Sequence, residues 1–141
     1  MSLAIVYTRA ALGIEAPLIT VEVHLSNGLP GLTMVGLPET TVKEARDRVR
    51  SALINSGYAF PAKKITINLA PADLPKEGGR YDLPIALALL VASEQLNTTR
   101  LNQYEFVGEL ALTGGLRGVP GAIPSAMEAI KAGRRIVVSS D

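Results

Sequence analysis

The chain is organised around the stretch NLAPADLPKEGGRYDLPIALALLVASE, which occupies residues 68–94. The segment that leads into it, residues 64–69, alternates polar and apolar side chains with the period of two that is typical of a half-buried strand. Prolines and glycines between residues 71 and 79 then exclude both helix and strand. We therefore expect a short strand that runs into a structured loop.

The loop leads into a helix that is almost wholly apolar. No side chain in residues 83–92 is polar, and a helix that is apolar on every side is expected in the interior of a domain. Asp82 is predicted to be its N-cap, and Pro84 is tolerated in the first turn. The charged loop is therefore expected at the mouth of a rigid core element, where functional sites are commonly placed.

Length and composition fit one globular domain. The 141 residues are 48% hydrophobic and 19% charged, which excludes a disordered chain. The net charge is +1, so any binding of nucleic acid must depend on a local basic patch. The absence of cysteine excludes disulfides and thiolate metal sites. Without a leader-like start or a long apolar run, we expect a cytoplasmic protein that does not associate with a membrane.

Alternating patterns and turn dipeptides elsewhere in the chain predict further elements. Strands are expected at residues 3–9, 19–25, 32–35 and 136–138. A hairpin is expected to turn at Gly114-Gly115, and a short helix is expected over residues 122–132. This order of elements predicts an α/β (α+β) fold, with a mixed β-sheet and packed helices.

Residues 41–57 carry the clearest helix signals. A capping-box spacing begins at Thr41, and Gly57 can supply the left-handed residue that ends a helix. Most charges on the exposed face can pair at four-residue spacing, but Arg46 and Arg50 have no acidic partner at that spacing. This face is either a solvated surface or a ridge that binds phosphates or a partner.

Several catalytic and nucleotide-binding patterns are absent from the sequence. It contains no G-x-x-x-x-G-K-[ST] phosphate loop, no G-x-G-x-x-G opening and no G-x-S-x-G serine elbow. Asp73, Glu77 and Asp82 could pair for acid–base chemistry, but no second group is placed opposite them. No cofactor and no metal are therefore expected in this domain, and no cluster of metal ligands supports a chelatase role.

A resemblance to a known family covers effectively the whole chain. It is carried by GLPGLTMVGLPETTVKEARDRVRSALINSGYAFPAKKITINLAPADLPKEGGRYDLPIALALL (residues 28–90) and by VGELALTGGLRGVPGAI (residues 107–123). Both stretches resemble the N-terminal domain of the ComM/YifB family, bacterial proteins related to the magnesium-chelatase ATPase subunit. The resemblance implies that residues 1–141 are one N-terminal domain and that an AAA+ ATPase domain follows it. Because the chain stops straight after a strand, we expect it to be part of a longer protein, and closure of the fold at its C-terminus stays open.

In that family the domain is similar to the proteolytic domain of Lon and to the C-terminal domain of the RadA recombination protein. The resemblance implies a Lon-protease-like fold that is shared with a domain of a small-subunit ribosomal protein. For the full-length protein it implies ATP and Mg as cofactors and assembly into a hexameric ring. It also implies an ATP-driven helicase that extends strand exchange by branch migration during natural transformation.

The comparison with Lon further implies that the peptidase dyad is missing. Lon carries its serine in a P-K-D-G-P-S-A-G-type loop before an apolar helix, and residues 75–78 match the start of that loop. With the helices aligned, Asp82 stands at or near the serine position, within a residue or two. Ile123 stands at the position of the lysine base and cannot accept a proton. The domain is therefore not expected to be an enzyme.

Two functions stay open for the domain. It can contact single-stranded or branched DNA, or it can be a purely structural oligomerisation and interaction domain; a Lon-type serine peptidase is a remote alternative. Basic side chains neutralise phosphates without reading bases, and a surface poor in aromatic residues predicts weak, salt-sensitive binding. The candidate DNA contacts are Lys76, Arg80, Tyr81, Arg46, Arg50, Lys63 and Lys64.

Overall fold

A computed structural model describes residues 2–74, 76 and 78–140. The strands are β1 (Leu3–Arg9), β2 (Leu18–Ser26), β3 (Gly31–Val35), β4 (Lys64–Ala70), β5 (Tyr104–Phe106), β6 (Glu109–Leu110), β7 (Leu116–Arg117) and β8 (Arg135–Val137). The helices are α1 (Glu39–Asn55), α2 (Asp82–Ala92) and α3 (Ala122–Lys131), with a 3-10 turn at Leu101–Gln103. None of the helices in these residues has the length and apolar character needed to cross a bilayer.

The main sheet is mixed, as the order of elements predicts. Its strands lie in the order β3-β4-β2-β1-β5-β8, and β6 and β7 form a separate hairpin. β2 is antiparallel to β1 and β4, whereas the β3–β4, β1–β5 and β5–β8 pairs are parallel. Parallel neighbours need a crossover, which α1 supplies between β3 and β4 and α3 between β5 and β8. The predicted α/β fold is confirmed.

The apolar core lies between the centre of this sheet and the first two helices. The alternation in β2 and β4 places Val21 opposite Leu69 and Val23 opposite Ile67, and all four side chains are fully buried. α2 packs on β1 and β2 and against α1. Since every second residue of these strands points to the same face, the sheet presents a continuous apolar surface to α2.

α2 is the interior helix that the apolar run predicts, although it is not covered on every side. Most of its residues are buried, and Leu89 is fully inaccessible to solvent. The exception is a stripe at four-residue spacing whose members are half buried: Leu83, Leu87 and Val91. The expectation of a helix enclosed on all sides is therefore wrong for this one stripe.

The helix ends differ in part from the predicted caps. α1 begins at Glu39 with Pro38 in the N-cap position, three residues before the predicted cap Thr41, and has no side-chain capping bond. Pro38 is suited to that position, because its φ of −58° and ψ of 148° are non-helical while its carbonyl accepts from an amide of the first turn. Gly57 has a φ of +88° and closes the helix, as predicted. In α2 the N-cap is Tyr81, and Asp82 is the first helical residue.

Gly36 is required by the turn between β3 and α1. Its φ is +98°, and a Cβ atom at this position would lie 2.3 Å from the carbonyl oxygen of Leu69 in β4. Only glycine fits a backbone that approaches its neighbour so closely in the left-handed region. The turn therefore fixes where α1 starts relative to the sheet.

Substitution of Leu89 tests the interior position of α2. Leu89→Ala removes buried methyl groups and leaves a cavity, so we expect the free energy of unfolding to fall by about 2–5 kcal/mol in urea denaturation. The control is Leu112→Ala, at a side chain that is 56% exposed, for which we expect a change of less than about 0.5 kcal/mol. Equal effects of the two substitutions would contradict the interior position.

Candidate functional site

The loop between β4 and α2 is exposed at residues 71–73 and 78, whereas its two basic side chains and the tyrosine that follows them are buried. Lys76, Arg80 and Tyr81 are only 3%, 5% and 2% exposed. Burial raises the pKa of the Tyr81 phenol to about 12. These three side chains are therefore not presented to a phosphate backbone. A sequence pattern of charged residues among prolines and glycines does not distinguish a buried polar loop from a surface loop.

Lys76 stabilises the loop from within. Its Nζ donates hydrogen bonds to the backbone carbonyls of Pro71 and Leu74, and burial lowers its pKa. An ammonium group can satisfy several carbonyls that no strand or helix pairs. Pro75 and Glu77, which belong to the Lon-type loop pattern, lie outside the described residues.

Arg80 joins the loop to two distant segments. Its Nε donates to the carbonyl of Arg9 at 2.9 Å, and its Nη1 donates to the carbonyl of Pro120 at 2.7 Å. Its Nη2 donates to Oγ of the fully buried Ser125 in α3 at 3.2 Å. Burial lowers the pKa of the guanidinium, but an arginine stays charged in proteins. The acceptors therefore compensate a charge that the fold has removed from water.

A second buried charge, Glu105 in β5, is held by two arginines. Arg9 donates from Nε and Nη2 to the two carboxylate oxygens at 2.6 and 2.9 Å, and Arg134 donates from Nη1 at 3.2 Å. The Arg134 guanidinium also lies 4.1 Å from the ring centroid of Tyr7, which is a cation–π contact. The sequence alone does not reveal this cluster, because nothing in linear spacing pairs residue 9 with residue 105.

Asp82, at the position that the Lon resemblance gives to the serine, forms a buried ion pair. Arg48 of α1 donates from Nε to Oδ2 at 2.6 Å and from Nη2 to Oδ1 at 3.2 Å, and the Leu110 amide donates to Oδ2 at 3.1 Å. Burial raises the pKa of Asp82 to about 6, although Arg48 and the Leu110 amide favour the ionised form. Both carboxylate oxygens are engaged, so this group connects α1, α2 and β6.

Arg48 was expected to pair with Glu44 one turn earlier in α1. That pair is present, but its separation of 3.9 Å is long and Glu44 is 70% exposed. The contact with the buried Asp82 is shorter, and desolvation makes such a contact stronger than a surface pair. A four-residue spacing therefore identified a weaker partner of Arg48.

Ile123, at the position that the resemblance gives to the lysine base, lies in the first turn of α3. Its side chain is 75% exposed, whereas the Asp82 carboxylate lies beneath Arg48 with both oxygens occupied. One position faces solvent and the other is closed by an ion pair. The contacts of these two residues therefore do not form a nucleophile and base arrangement.

A cleft of about 460 Å³ opens beside the buried loop, and its lining includes Gly79, Arg80, Tyr81, Glu109 and Pro120. Gly79 permits close approach to β6, since a Cβ atom there would lie 2.3 Å from Oε1 of Glu109. The Arg80 guanidinium is already engaged by backbone and hydroxyl acceptors, and Glu109 contributes a carboxylate. This lining disfavours a phosphate. Across the described residues, no three His, Cys, Asp or Glu side chains are placed to hold a metal ion.

The other DNA-contact candidates belong to α1, to the start of β4 and to the residue that precedes β4, and we refer to them together as the α1–β4 surface: Arg46, Arg50, Lys63 and Lys64. The Arg50 guanidinium lies 5.8 Å from the ring centroid of Phe60, which brings α1 next to the segment that precedes β4. Lys63 and Lys64 are exposed, and Lys63 Nζ donates to Oδ1 of Asn27 at 3.1 Å. In the sequence these cations belong to separate elements, and the contact between Arg50 and Phe60 could not be predicted from their spacing.

Arg46 has an acidic partner next to it in the sequence. Its Nε lies 3.6 Å from Oδ1 of the adjacent Asp47, so it has an acidic neighbour that the four-residue rule did not indicate. Both side chains are largely exposed, at 41% and 70%, and a surface pair of this kind contributes little to stability. Arg46 can therefore exchange this partner for a phosphate at small cost.

Comparison with known proteins assigns the chain to a family. The sequence matches the family described as subunit ChlI of Mg-chelatase over residues 21–141. The chain belongs to this family. Residues 1–20, which contain β1 and the start of β2, lie outside this match and are covered by the pairwise comparisons below.

The pairwise comparisons also confirm the resemblance to the ComM/YifB family. The chain is 81% identical to YifB of Escherichia coli over 141 residues, all of this chain and 28% of that protein. It is 66% identical to the competence protein ComM of Haemophilus influenzae over 139 residues, 99% of this chain and 27% of ComM. It is 38% identical to Rv2897c of Mycobacterium tuberculosis over 138 residues, 98% of this chain and 27% of that protein. The chain therefore spans little more than a quarter of these relatives.

Asp82 is expected to make stability depend on pH. Its pKa rises from an ordinary value of 3.8 to about 6 in the folded protein, so its contribution is full below 3.8 and is lost as the pH rises through 6. The difference corresponds to roughly 3 kcal/mol. Relative to Asp82→Asn, the free energy of unfolding of the wild type is expected to fall by that amount between about pH 3.5 and pH 7. Urea denaturation across this range measures it, and parallel curves for the two proteins would refute the assignment.

Neutralising Glu105 is expected to be strongly destabilising. Glu105→Gln leaves Arg9 buried without its counter-charge, so we expect the free energy of unfolding to fall on the order of 3 kcal/mol. The control is Glu109→Gln, which alters a 3.8 Å pair with the exposed Arg117 and is expected to cost less than about 1 kcal/mol. Thermal or urea unfolding of both variants checks the difference. A loss at Glu105 no larger than that at Glu109 would argue against a buried charge cluster.

Proposed function

We propose that this chain is the non-catalytic N-terminal domain of a competence-type AAA+ protein and contacts DNA through the α1–β4 surface. Membership of the ChlI family and 66% identity to the competence protein ComM support the first part. The observation that carries the second part is the Arg50–Phe60 contact, because it brings α1 next to the segment that leads into Lys63 and Lys64. The cations of the loop, by contrast, are engaged inside the protein.

The chemistry of this surface favours the nucleic-acid backbone over the bases. Arginine and lysine neutralise phosphates and release counterions, which gives affinity that is independent of sequence and sensitive to salt. Phe60 is half buried and Tyr58 is 37% exposed beside it in the chain, so the surface offers limited area for stacking. We therefore expect weak binding of single-stranded or branched DNA by the domain alone.

For the whole protein we propose the activity that the family resemblance implies. ATP and Mg would be used by an AAA+ domain beyond residue 141, in a hexameric ring that drives branch migration during natural transformation in the cytoplasm. The present domain would hold or orient DNA without chemistry of its own. The engagement of both Asp82 oxygens by Arg48 supports this, since a reactive group must be free to meet a substrate.

A purely structural domain is the second candidate function. The observation that favours it is the row of large apolar side chains that α3 exposes: Ile123, Met127 and Ile130. Exposed apolar area of this kind is typical of surfaces that contact other protein segments. A domain with this role alone would not contribute to DNA affinity, which separates the two candidates.

Fluorescence anisotropy with single-stranded and branched DNA at two salt concentrations tests the proposal. Arg46→Ala/Arg50→Ala is expected to weaken binding and to reduce the slope of log K against log salt by about 1.4 on single strands, because two phosphate contacts are lost. Lys63→Ala/Lys64→Ala is expected to act in the same direction.

The matched control removes two exposed arginines elsewhere, Arg117→Ala/Arg135→Ala. It lowers the net charge by the same amount, so an equal loss of affinity would show a general charge effect and would argue against a specific surface. Affinity that survives both α1–β4 double substitutions, with an unchanged salt slope, would instead favour the structural role.

A further inference from the structure

α3 exposes large apolar side chains and buries small ones, which is the reverse of the distribution expected of a surface helix. Its fully buried residues are small, namely Ser125 and Ala129. Its large apolar residues face outward, with Ile123, Met127 and Ile130 exposed by 75%, 55% and 71%. Positions separated by four and three residues lie on one side of a helix. The exposed side chains therefore form one apolar stripe along α3, which we call the α3 stripe.

The inner side of α3 is attached mainly through polar contacts. Arg80 donates to Oγ of Ser125 at 3.2 Å, and Arg9 donates from Nη2 to the carbonyl of Glu128 at 3.4 Å. These contacts fix the helix in one orientation, so the α3 stripe cannot turn toward the core without breaking them. The α3 stripe is therefore held in a solvent-facing position by these contacts.

The apolar side chains of β8, which packs next to α3, are also incompletely buried. β8 is the last strand in the order of the main sheet, and Ile136 and Val137 are only half buried while Val138 is 39% exposed. Parallel strands are usually covered on both faces. The α3 stripe and β8 thus mark one side of the domain where apolar surface meets solvent.

The relatives indicate what covers this side. The matched region is the N-terminal part of proteins about three and a half times longer, since it amounts to 28% of YifB. In a β-α-β crossover the helix runs antiparallel to its strands, so the C-terminal end of β8 lies at the same end of the sheet as the first turn of α3. A polypeptide that continues from β8 can therefore reach Ile123 at once and follow the stripe toward Ile130.

We propose that, in the full-length proteins of this family, the segment that follows residue 141 packs its apolar side chains on the α3 stripe. The occupant is the same polypeptide and not a second copy of the domain, because its attachment point lies beside the stripe at an effective concentration that a separate molecule does not reach. Covering three large apolar side chains would offset the entropy of ordering that segment.

Cysteine labelling in a background without cysteine tests the proposal. The chain has no cysteine, so Ile123→Cys and Ile130→Cys each provide one reporter, and Leu29→Cys is the control at a side chain that is 90% exposed. Each variant is prepared in two forms: residues 1–141 alone, and residues 1–141 joined to the remainder of the E. coli relative with its own cysteines replaced by serine. The rate of reaction with a chromogenic disulfide reagent is measured for all six proteins.

In the longer protein the reporters on the α3 stripe are expected to react at least about tenfold more slowly than in the 141-residue chain, because the covering segment must open first. The Leu29→Cys reporter should react at similar rates in both forms. Equal rates at residues 123 and 130 in the two forms would overturn the proposal. Slow labelling in the short chain that accelerates on dilution would also overturn it, since a second copy would then cover the stripe.

A variant without an introduced cysteine provides an independent test of the proposal. Ile130→Asp places a charge on the α3 stripe, so it is expected to lower the midpoint of thermal unfolding of the longer protein while leaving that of the 141-residue chain nearly unchanged. Leu29→Asp is the matched control and is expected to leave both midpoints unchanged. Identical behaviour of Ile130→Asp in the two forms would contradict a covering segment.

Discussion

The buried guanidinium of Arg80 is the constraint on which the arrangement of the domain depends. A charge removed from water is tolerated only when its donors find acceptors, and here the acceptors are the carbonyls of Arg9 and Pro120 and the hydroxyl of Ser125. They come from the end of β1, the segment before α3 and α3 itself. The loop, the first strand and the last helix must therefore be in place together for any of these hydrogen bonds to form.

The same principle recurs at two further buried charges, Glu105 and Asp82. Glu105 is held by Arg9 and Arg134, and Asp82 is held by Arg48. Each cluster joins elements that are far apart in the chain. The apolar core between α2 and the sheet stabilises their packing, but the hydrophobic effect is non-directional and does not fix how the elements are oriented. Burial of apolar surface brings the layers together, and the ion pairs fix how α1 and α3 are oriented on them. This explains how α3 can be held in place although the residues on its inner side are small or polar.

The local features of the sequence predicted much of the fold. The alternation in β2 and β4, the apolar run of α2 and the left-handed Gly57 each depend on neighbours within a few residues, and each is confirmed. The ion pairs could not be predicted in this way, because Arg48 and Asp82 are 34 residues apart and Arg9 and Glu105 are 96 residues apart. For the same reason the sequence did not show that Lys76 and Arg80 are buried. Charged residues show their partners only when the tertiary contacts are known.

The position of Asp82 shows how one side chain can hold three elements together and leave neither of its oxygens free for a reaction. A serine nucleophile requires an accessible oxygen and a nearby base, whereas the carboxylate of Asp82 accepts three hydrogen bonds and is fully buried. An ion pair at this position contributes by connecting α1, α2 and β6, so replacing Asp82 with serine would free Arg48 without creating a base. Binding is therefore expected at surfaces whose side chains take no part in the core. The α1–β4 surface and the α3 stripe are such surfaces, because their side chains extend away from the buried clusters that hold the domain together.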